Sequence, residues 1–551
     1  GAVQPPEAGE GDPPRAPGRK VQVGDLVEFS GGSQGVLVWE GEEAWYAVAL
    51  GPVERGEGAA LGVRAGVAGA LGGGARDFLG RTQASPLSRA VQALPAAPLG
   101  APLVNEPVPV EGRQPIHENL HTGFKALDAL APVGRGQSTL LLGSPLAQAA
   151  VRRTLQRNLA PAEGGGGAGE VRCIVVDARG AAAAGGREED GGAGAGAGGA
   201  ASLVEARGRC PGEQLLAVSA GCALGEATRD AGGHALVVVD GLEGVYQAWL
   251  AIQRLETELT AQAIDALSAS RPEGESQEDL VEVNGMLVSA VAAKRRRFFS
   301  AILQRAAKLA ASDEGAGTMT LIPIVSGRPA DGRASSARAA LDRPGLSEDL
   351  RRKLEAKLGA AAPGAAGAGA GGADAGGALP MEVVEELMSI ADGHCDATWD
   401  AAAGTFSLNP SGTLTRVGSG RTSDPALLQF SNLRLELAQD SDAESFGVQD
   451  AVTRQRAQRA ALVRAFLEQE EGAELASVEK LSCGLRALLE RDELLQVPPP
   501  QVRAVVDALY ADLAETAPDL VRALGTGTSA PEGEDLRPLT SALERAVAAV
   551  L

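Results

Sequence analysis

The stretch from residue 134 to residue 151 has the layout of a phosphate-binding loop. It reads GRGQSTLLLGSPLAQAAV, in which a glycine-bearing turn precedes a short apolar strand, Gly143 and an alanine-rich helix start. A functional loop has the form G-x-x-x-x-G-K-[ST], in which backbone N–H groups, a lysine and a hydroxyl hold phosphates and magnesium. Counting from Gly143, the last three positions of that pattern are occupied by Gln148, Ala149 and Ala150. The scaffold of the loop is present, whereas the groups that bind the nucleotide are replaced.

Each of these replacements removes a contact with phosphate or metal. Gln148 carries a Cβ atom, which resists the tight backbone curl that glycine allows. Ala149 offers no charge to the outer phosphates, and Ala150 offers no hydroxyl to magnesium. Losing two hydrogen bonds to charged groups weakens binding by about 3–6 kcal/mol, or roughly a hundred- to ten-thousand-fold in affinity. The alternative is an ordinary strand–turn–helix that never bound phosphate.

The composition describes a long acidic chain with small core residues. Its 551 residues suffice for three or four domains. Hydrophobic residues make up 44% and aromatic residues only 3%, so the cores must consist mainly of Ala, Val and Leu. The net charge of −21 argues against a broad nucleic-acid surface, and no nucleic-acid partner is expected. No run of 18 apolar residues occurs, so no transmembrane segment is predicted.

The cysteines and histidines predict neither a metal site nor a disulfide framework. The cysteine count is odd, at five, and no C-x-x-C motif occurs, which indicates a reducing compartment. Cys173 and Cys483 lie in apolar periodic stretches and are predicted to be small core residues. The four histidines are scattered, and none pairs with Cys or Asp in a recognisable metal site or catalytic triad. We therefore expect no metal, and no enzyme that acts alone.

The hydrophobic pattern divides the chain into four regions, which together predict a multidomain α/β protein. Residues 1–20 are rich in Pro, Gly and Glu and are predicted to form a flexible arm. Residues 21–112 hold short strands, with a hairpin over 36–50, and predict a small N-terminal β-barrel. Residues 113–431 alternate strands with helices, which predicts a doubly wound α/β domain. Residues 432–551 have helical periodicity and predict a C-terminal helical bundle. The strands predicted in the central region are 140–142, 174–176, 236–239 and 321–325, and its helices include 149–159 and 298–309.

Four segments interrupt the central region. Segments 163–169, 181–201 and much of 333–379 are nearly all Gly and Ala, and they are predicted to be disordered loops. Segment 271–297 is longer and charged, and it ends in the basic run Lys294–Arg297. We interpret this run as a solvated helix end, with a phosphate or partner contact as the alternative.

Several motifs of the chain occur in the order in which one protein family carries them. The stretch HENLHTGFKALDALAPVGRGQ, residues 117–137, precedes the loop, and HALVVVD ends in Asp240. FFSAILQRAAKL, SIADG, LTRVGSG, LRLELAQ and SVEKLSCGLRALLE follow, and VQVGDLVEFSGGSQGVLV stands near the N-terminus. Together these motifs resemble the α subunit of F-type ATP synthase, and TGFKALD, LTRVG and LRLELAQ fit the α type better than the β type.

The resemblance implies a central domain of P-loop type (RecA-like) in a ring of alternating α and β subunits. In that family catalysis occurs in sites owned mainly by β, while α binds a nucleotide that is not turned over. Asp240 resembles the magnesium-side aspartate, but the loop is degenerate, so ATP and Mg²⁺ binding are expected to be lost and no cofactor is predicted. The alternative for Asp240 is a structural hydrogen-bonding role. Arg416 in LTRVGSG resembles the arginine finger that acts in trans on β, and the alternative is a structural surface arginine.

Three functions follow from the resemblance. The first is a non-catalytic α-like subunit, a pseudo-ATPase with a structural or regulatory role in proton-driven ATP synthesis, in an F-type ATP synthase head or a related assembly. Its partners would be β-like and other head subunits, in a complex to which it is peripheral at the membrane. The second is a true α subunit that works with an empty site. The third is a scaffold subunit of another large organellar complex that reuses the α-subunit fold. The sequence of the TGFKALD motif resembles mitochondrial or bacterial proteins more than plastid ones, so among organelles it favours a mitochondrion over a chloroplast.

Overall fold

The structure is a computed structural model. The structure does not describe every residue. Several predictions fall outside the described residues: the loop positions Gln148, Ala149 and Ala150, the predicted helix 149–159, segments 163–169 and 181–201, and nearly all of segment 333–379. The described residues are 2–3, 23, 25–29, 34–41, 45–49, 59–64, 107–143, 171–178, 202–205, 211–267, 280–283, 286–310, 317–326, 379–400, 403–416, 430–446, 451–470, 477–526 and 537–550.

An antiparallel sheet of five strands forms near the N-terminus, in the order β1-β4-β3-β2-β5. The predicted hairpin is confirmed, because β3 and β4 pair from Gly35 with Ala49 to Glu40 with Trp45. Two residues of the predicted arm also belong to this sheet, where Ala2 pairs with Tyr46. The strands are β1 Ala2–Val3, β2 Asp25–Phe29, β3 Gln34–Glu40, β4 Trp45–Ala49 and β5 Ala59–Arg64.

The central sheet has ten strands and is mainly parallel. Its main path is β10-β9-β11-β15-β8-β16-β17-β19, with β14 beside β15 and β18 beside β16. The first six strands of this path run parallel, and β14, β17, β18 and β19 are antiparallel additions. All four predicted strands are confirmed within β8, β9, β11 and β15, each slightly longer than predicted. The ten strands are β8 Thr139–Gly143, β9 Val171–Asp177, β10 Ser202–Glu205, β11 His234–Asp240, β14 Ala307–Lys308, β15 Thr318–Ser326, β16 Gly393–Asp400, β17 Thr405–Leu408, β18 Leu414–Thr415 and β19 Gln469–Glu470. Two separate antiparallel pairs are β6 Asn119–Leu120 with β7 Val133–Gly134, and β12 Leu280–Val283 with β13 Met286–Ser289.

Helices cover both faces of this sheet. On one face, Val237 and Val239 of β11 belong to a core shared with helices α2 to α5. On the other face, Leu236 and Val238 belong to a core shared with α1 and the C-terminal helices. Burial on both faces explains why β8, β9, β11 and β15 are largely apolar runs. The helices are α1 Lys125–Leu130, α2 Pro211–Asp230, α3 Leu242–Leu267, α4 Ala290–Leu303, α5 Met381–Ile390, α6 Leu433–Phe446, α7 Ala451–Leu467, α8 Val478–Glu490, α9 Val502–Thr516, α10 Pro518–Thr526 and α11 Arg537–Val550.

An aromatic cluster joins the N-terminal sheet to the central helices. The Trp39 ring of β3 lies 5.4 Å from the Trp249 ring of α3 and 5.9 Å from the Phe298 ring of α4. The Arg297 guanidinium lies 5.7 Å from the Trp39 ring, within the range of a cation–π contact. Trp39 therefore packs the N-terminal sheet on the helical layer, and Val36 and Tyr46 belong to the same core.

The helix predicted over 298–309 was misplaced. Helix α4 begins at Ala290, where the Ser289 hydroxyl accepts a hydrogen bond from Ala292 N, and it ends at Leu303. Residues 307–308 then form β14 against β15, so strand pairing outweighs the helical propensity of the alanine-rich sequence.

The interpretation of the basic run as a solvated helix end was wrong. The run lies in the first half of α4, and its side chains contact other parts of the chain. Arg295 forms an ion pair with Glu386 of α5 at 2.6 Å, and Arg296 donates to the Ser389 hydroxyl at 2.6 Å. The run therefore fastens α4 to α5.

The C-terminal stripes are confirmed as a helical core. Leu462, Val463, Phe466 and Leu467 are at most 3% exposed, and the predicted stripe of α9 is completely buried. One strand, β19, departs from the all-helical prediction, because Gln469 pairs with Phe406 at the edge of the central sheet. Among the described helices, none combines the length and the apolar character needed to span a bilayer.

Candidate functional site

Gly143 and Asp240 lie on the same edge of the central sheet. Each is the last residue of its strand, β8 or β11, and β15 runs parallel between the two strands. In register, Ser326 at the end of β15 pairs with Gly143, and Asp177 at the end of β9 pairs with Asp240. Open α/β sheets bind ligands outside the carboxyl ends of their parallel strands. The structure thus brings two of the predicted site residues to the edge where such folds carry their sites.

Acidic side chains stand at two of these strand ends. Of the four strand-end residues, two are carboxylates, Asp177 and Asp240, and they are neighbours in register. The Asp240 side chain is completely buried, and the backbone N–H of Ala178 donates to Asp240 O at 2.7 Å. Adjacent carboxylates repel a polyphosphate and attract a cation. This edge therefore needs a cationic group from elsewhere before it can hold phosphate.

The turn that leads into β8 is held by a side-chain network. Gln137 accepts a hydrogen bond from Gly134 N at 2.8 Å and donates to the Thr415 hydroxyl at 3.2 Å. Ser138 donates to Asp392 from both its backbone N–H and its hydroxyl, each at 2.9 Å. These bonds connect the GRGQ motif to the SIADG and LTRVGSG motifs, which are far apart in the sequence.

Glycine is required at position 136 of this turn. Gly136 has a φ of +99°, which L side chains rarely adopt, and a Cβ atom would lie 2.7 Å from the backbone nitrogen of Lys308. Its N–H donates to the Thr320 hydroxyl at 2.9 Å. The glycine therefore lets the turn pack directly on β14 and β15.

Arg416 lies at the opposite edge of the sheet from Gly143. It follows β18, where Thr415 pairs with Gly393 at the start of β16, and Gly393 in turn pairs with Thr139 at the start of β8. Its guanidinium donates to Ser389 O at 2.5 Å and to Met388 O at 3.2 Å, and the side chain is exposed. These carbonyls belong to the last turn of α5, which a cation stabilises. Within this chain Arg416 is placed apart from Gly143 and Asp240.

The motif around residue 122 contains a buried carboxylate that the sequence did not single out. Asp128 of α1 accepts hydrogen bonds from Thr122 N, from the Thr122 hydroxyl and from Gly123 N, at 2.9, 2.8 and 3.0 Å. Burial raises the pKa of Asp128. The aspartate of the TGFKALD motif thus fixes the turn at the start of the same motif.

Two further ionic contacts were missed because their partners are distant in sequence. Arg305 and Glu226 form a bidentate ion pair at 2.8 and 2.6 Å, with both side chains at most 3% exposed. The Lys308 ammonium donates to Glu118 at 2.7 Å and lies 3.1 Å from His117 Nε2, and the hydrogen bond from Lys308 lowers the pKa of Glu118. His117, predicted to be loop structure, therefore takes part in fixing β14.

The described cysteines are buried thiols. Cys173 and Cys483 are at most 1% exposed, which confirms the prediction that they are core residues, and burial raises the pKa of each thiol to about 12. Within the part of the chain that the structure describes, no group of three or more His, Cys, Asp and Glu side chains is arranged to hold a metal ion.

Comparison with known proteins identifies relatives for about half of the chain. No protein-family model matches the sequence. The chain is similar to the ATP synthase subunit alpha of Aquifex aeolicus, with 27% identity over 326 residues, which is 56% of this chain and 56% of the relative. It is similar to the proteins of the same name from Corynebacterium aurimucosum, with 28% identity over 56% of this chain and 53% of the relative, and from Saccharopolyspora erythraea, with 29% identity over 56% and 52%. The chain spans about half the length of the curated relatives it matches.

Proposed function

We propose that this chain, a distant homologue of ATP synthase α subunits, is a non-catalytic α-like subunit of an F-type ATP synthase head or a related assembly. It serves a structural or regulatory role in proton-driven ATP synthesis and binds no nucleotide of its own. One observation carries the proposal. Strand β8 ends at Gly143, on the same edge of the sheet as Asp240, and the sequence then supplies Gln148, Ala149 and Ala150 where a functional loop supplies Gly, Lys and Ser or Thr.

The charges at this edge support the proposal. A triphosphate needs a lysine or a metal ion to offset its charge. The four strand-end residues instead offer Asp177 and Asp240 side by side, with Ser326 and Gly143, and include no cation. These strand ends offer no positive charge to a triphosphate, and the loop offers Ala149 and Ala150 in place of the lysine and of the hydroxyl that holds magnesium. We therefore propose that neither ATP nor Mg²⁺ is a cofactor and that the chain alone is a pseudo-ATPase.

We also propose the finer architecture that the resemblance implies. The five-stranded N-terminal sheet is part of a small β-barrel, and the central sheet is a RecA-like, doubly wound P-loop domain. Two cores, one on each face of the central sheet, support the second assignment. The close approach of α2 to the sheet also supports it, because a Cβ atom on Gly221 would lie 2.2 Å from Val176 Cγ2.

Rebuilding the loop tests the loss of nucleotide binding. Titration calorimetry with Mg-ATP is expected to give no saturable binding to the natural chain below about 1 mM. The triple variant Gln148→Gly, Ala149→Lys and Ala150→Thr is expected to gain affinity by roughly a hundred-fold or more. The single variant Gln148→Gly is the matched control, since it restores the backbone but neither the charge nor the hydroxyl. Micromolar, magnesium-dependent binding by the natural chain would overturn the proposal.

The proposed partners are β-like and other head subunits, and the proposed location is an organelle, a mitochondrion rather than a chloroplast, at the periphery of the inner-membrane complex. In this setting Arg416 acts in trans as an arginine finger on the β-like site. Affinity purification of the full chain, followed by mass spectrometry, is expected to recover a β-like subunit in equal amount. Recovery of another large complex without any β-like subunit would contradict the assignment to a head and identify a scaffold role instead.

A further inference from the structure

A lysine of the TGFKALD motif fastens this turn to the C-terminal helices. The Lys125 ammonium donates to Phe466 O of α7 at 2.7 Å and lies 4.6 Å from the centre of the Phe466 ring. The backbone N–H of Lys125 donates to the Gln469 side chain at 3.1 Å, and the Gln469 amide donates back to Gly123 O at 3.0 Å. Four contacts thus join segments that are more than 340 residues apart in the chain.

The charges around Lys125 do not neutralise it. Four charged groups face its ammonium, and they are arranged as two ion pairs, Lys480 with Asp507 at 2.9 Å and Arg503 with Glu470 at 3.3 Å. The attraction of Asp507 exceeds the repulsion of Lys480, whereas the repulsion of Arg503 exceeds the attraction of Glu470, so the two pairs act in opposite directions. The groups that hold the ammonium directly are a carbonyl oxygen and an aromatic face, neither of which carries a full negative charge. Among the described residues, the site of Lys125 therefore provides a hydrogen-bond acceptor for the ammonium but no carboxylate in direct contact to offset its positive charge.

We propose that Lys125 is a pH-sensitive latch between residues 121–125 and the C-terminal helices, and that loss of its proton tightens the contact while protonation loosens it. A neutral amine still donates a hydrogen bond to Phe466 O and no longer has a charge to desolvate. Along the chain, the same segment continues through α1 and β7 into β8, the strand that ends at Gly143. This inference concerns the contact alone and does not depend on a nucleotide or a partner.

The direction of the pH effect follows from the two states of the contact. Burial lowers the pKa of Lys125 to about 8, and Arg503 and Lys480 add to this effect while Asp507 and Glu470 oppose it. When the contact opens locally, Lys125 enters water and regains its ordinary pKa of 10.5. Between these values the open state binds more protons than the closed state, so the closed state gains stability as the pH rises. From pH 7 to pH 9 the closing equilibrium is expected to increase about tenfold.

Hydrogen exchange at the junction tests the latch in the full chain. Peptides that cover residues 121–130 and 466–470 are followed by mass spectrometry at pH 7, 8 and 9, after correction for the intrinsic pH dependence of amide exchange. The natural chain is expected to gain about tenfold in protection from pH 7 to pH 9. Lys125→Met is expected to give protection that is high at pH 7 and independent of pH. Lys125→Arg is expected to give low protection that is independent of pH, since Arg stays charged in this range.

A matched control separates the latch from general effects of removing a lysine. Lys294 is 30% exposed and pairs with Glu256 on α3, away from the junction, so Lys294→Met is expected to keep the tenfold pH response at residues 466–470. Equal protection of the natural chain at pH 7 and pH 9 would overturn the proposal without any variant. A Lys125→Met chain that keeps the full pH response would also overturn it, because the titrating group would then lie elsewhere.

Discussion

Replacing Arg416 by alanine distinguishes an arginine finger from a helix-capping residue. The structure places the guanidinium on Ser389 O and Met388 O, the carbonyls at the end of α5. If capping is its only role, the variant loses those hydrogen bonds and nothing else. If Arg416 also acts in trans, the variant additionally loses charge stabilisation in the active site of a neighbouring subunit.

The two roles predict effects of very different size. Two hydrogen bonds from an exposed cation to a helix end contribute about 1–2 kcal/mol to the stability of the chain. An arginine finger contributes a factor of about 10³–10⁵ in turnover, which corresponds to roughly 4–7 kcal/mol of transition-state stabilisation. A loss of capping alone leaves the assembled complex intact and is too small to reduce turnover by that factor.

The assay compares two arginine variants in the purified complex. Arg434 is the matched control, because its guanidinium also donates to two carbonyl oxygens, Thr413 O at 3.0 Å and Pro410 O at 3.3 Å. Both Arg416→Ala and Arg434→Ala are expected to lower thermal stability by a similar small amount. Only Arg416→Ala is expected to reduce ATP hydrolysis per complex by a thousand-fold or more. Similar hydrolysis rates for the two variants, in complexes of equal subunit composition, would refute the finger role and leave capping.

Two further predictions concern ion pairs in the central region. Glu226→Gln leaves the Arg305 guanidinium buried without its carboxylate and is expected to cost about 3–5 kcal/mol of unfolding free energy, whereas the double variant Glu226→Leu with Arg305→Met is expected to be nearly neutral. Urea unfolding measures both, and a double variant as unstable as the single one would contradict the desolvation argument. Because the hydrogen bond from Lys308 lowers the pKa of Glu118, this contact stabilises the fold above the ordinary value of 4.5 and is lost as the pH falls through the lowered pKa. Glu118→Gln is expected to reduce the acid sensitivity of thermal unfolding, and an unchanged pH profile from pH 5 to pH 2 would count against it.

Local patterns predicted the secondary structure well where burial decides it. The strands β8, β9, β11 and β15 are largely apolar because both faces of the sheet are buried there. In α9 one face is buried, and its apolar residues therefore recur at helical spacing, namely Val502, Val505, Val506, Leu509 and Leu513. The helix predicted for the alanine-rich stretch after Leu303 was wrong. The conformation of this stretch is decided by its pairing with β15, and local propensity contains no information about such a distant partner.

The candidate site was only partly accessible to sequence reasoning. Gly143 and Asp240 were found because each ends an apolar strand, and parallel strands bring their carboxyl ends to one edge. The contacts of Lys125 with Phe466 and of Arg305 with Glu226 could not be found, since charged residues of these types are usually solvated and their partners are far away in sequence. The roles of Arg416 and of the replaced loop residues stay predictions.

The aromatic cluster at Trp39 has a consequence for the biogenesis of the protein. Phe298, on which the Trp39 side chain packs, is synthesised roughly 260 residues after Trp39, or about 15–50 seconds later at ordinary translation rates. During this interval Trp39 lacks the Phe298 ring, and it also lacks the Trp249 ring of α3 for most of that time, so the apolar surface of the N-terminal sheet is exposed and prone to aggregation. We therefore expect nascent chains of intermediate length to require a chaperone until α4 has emerged.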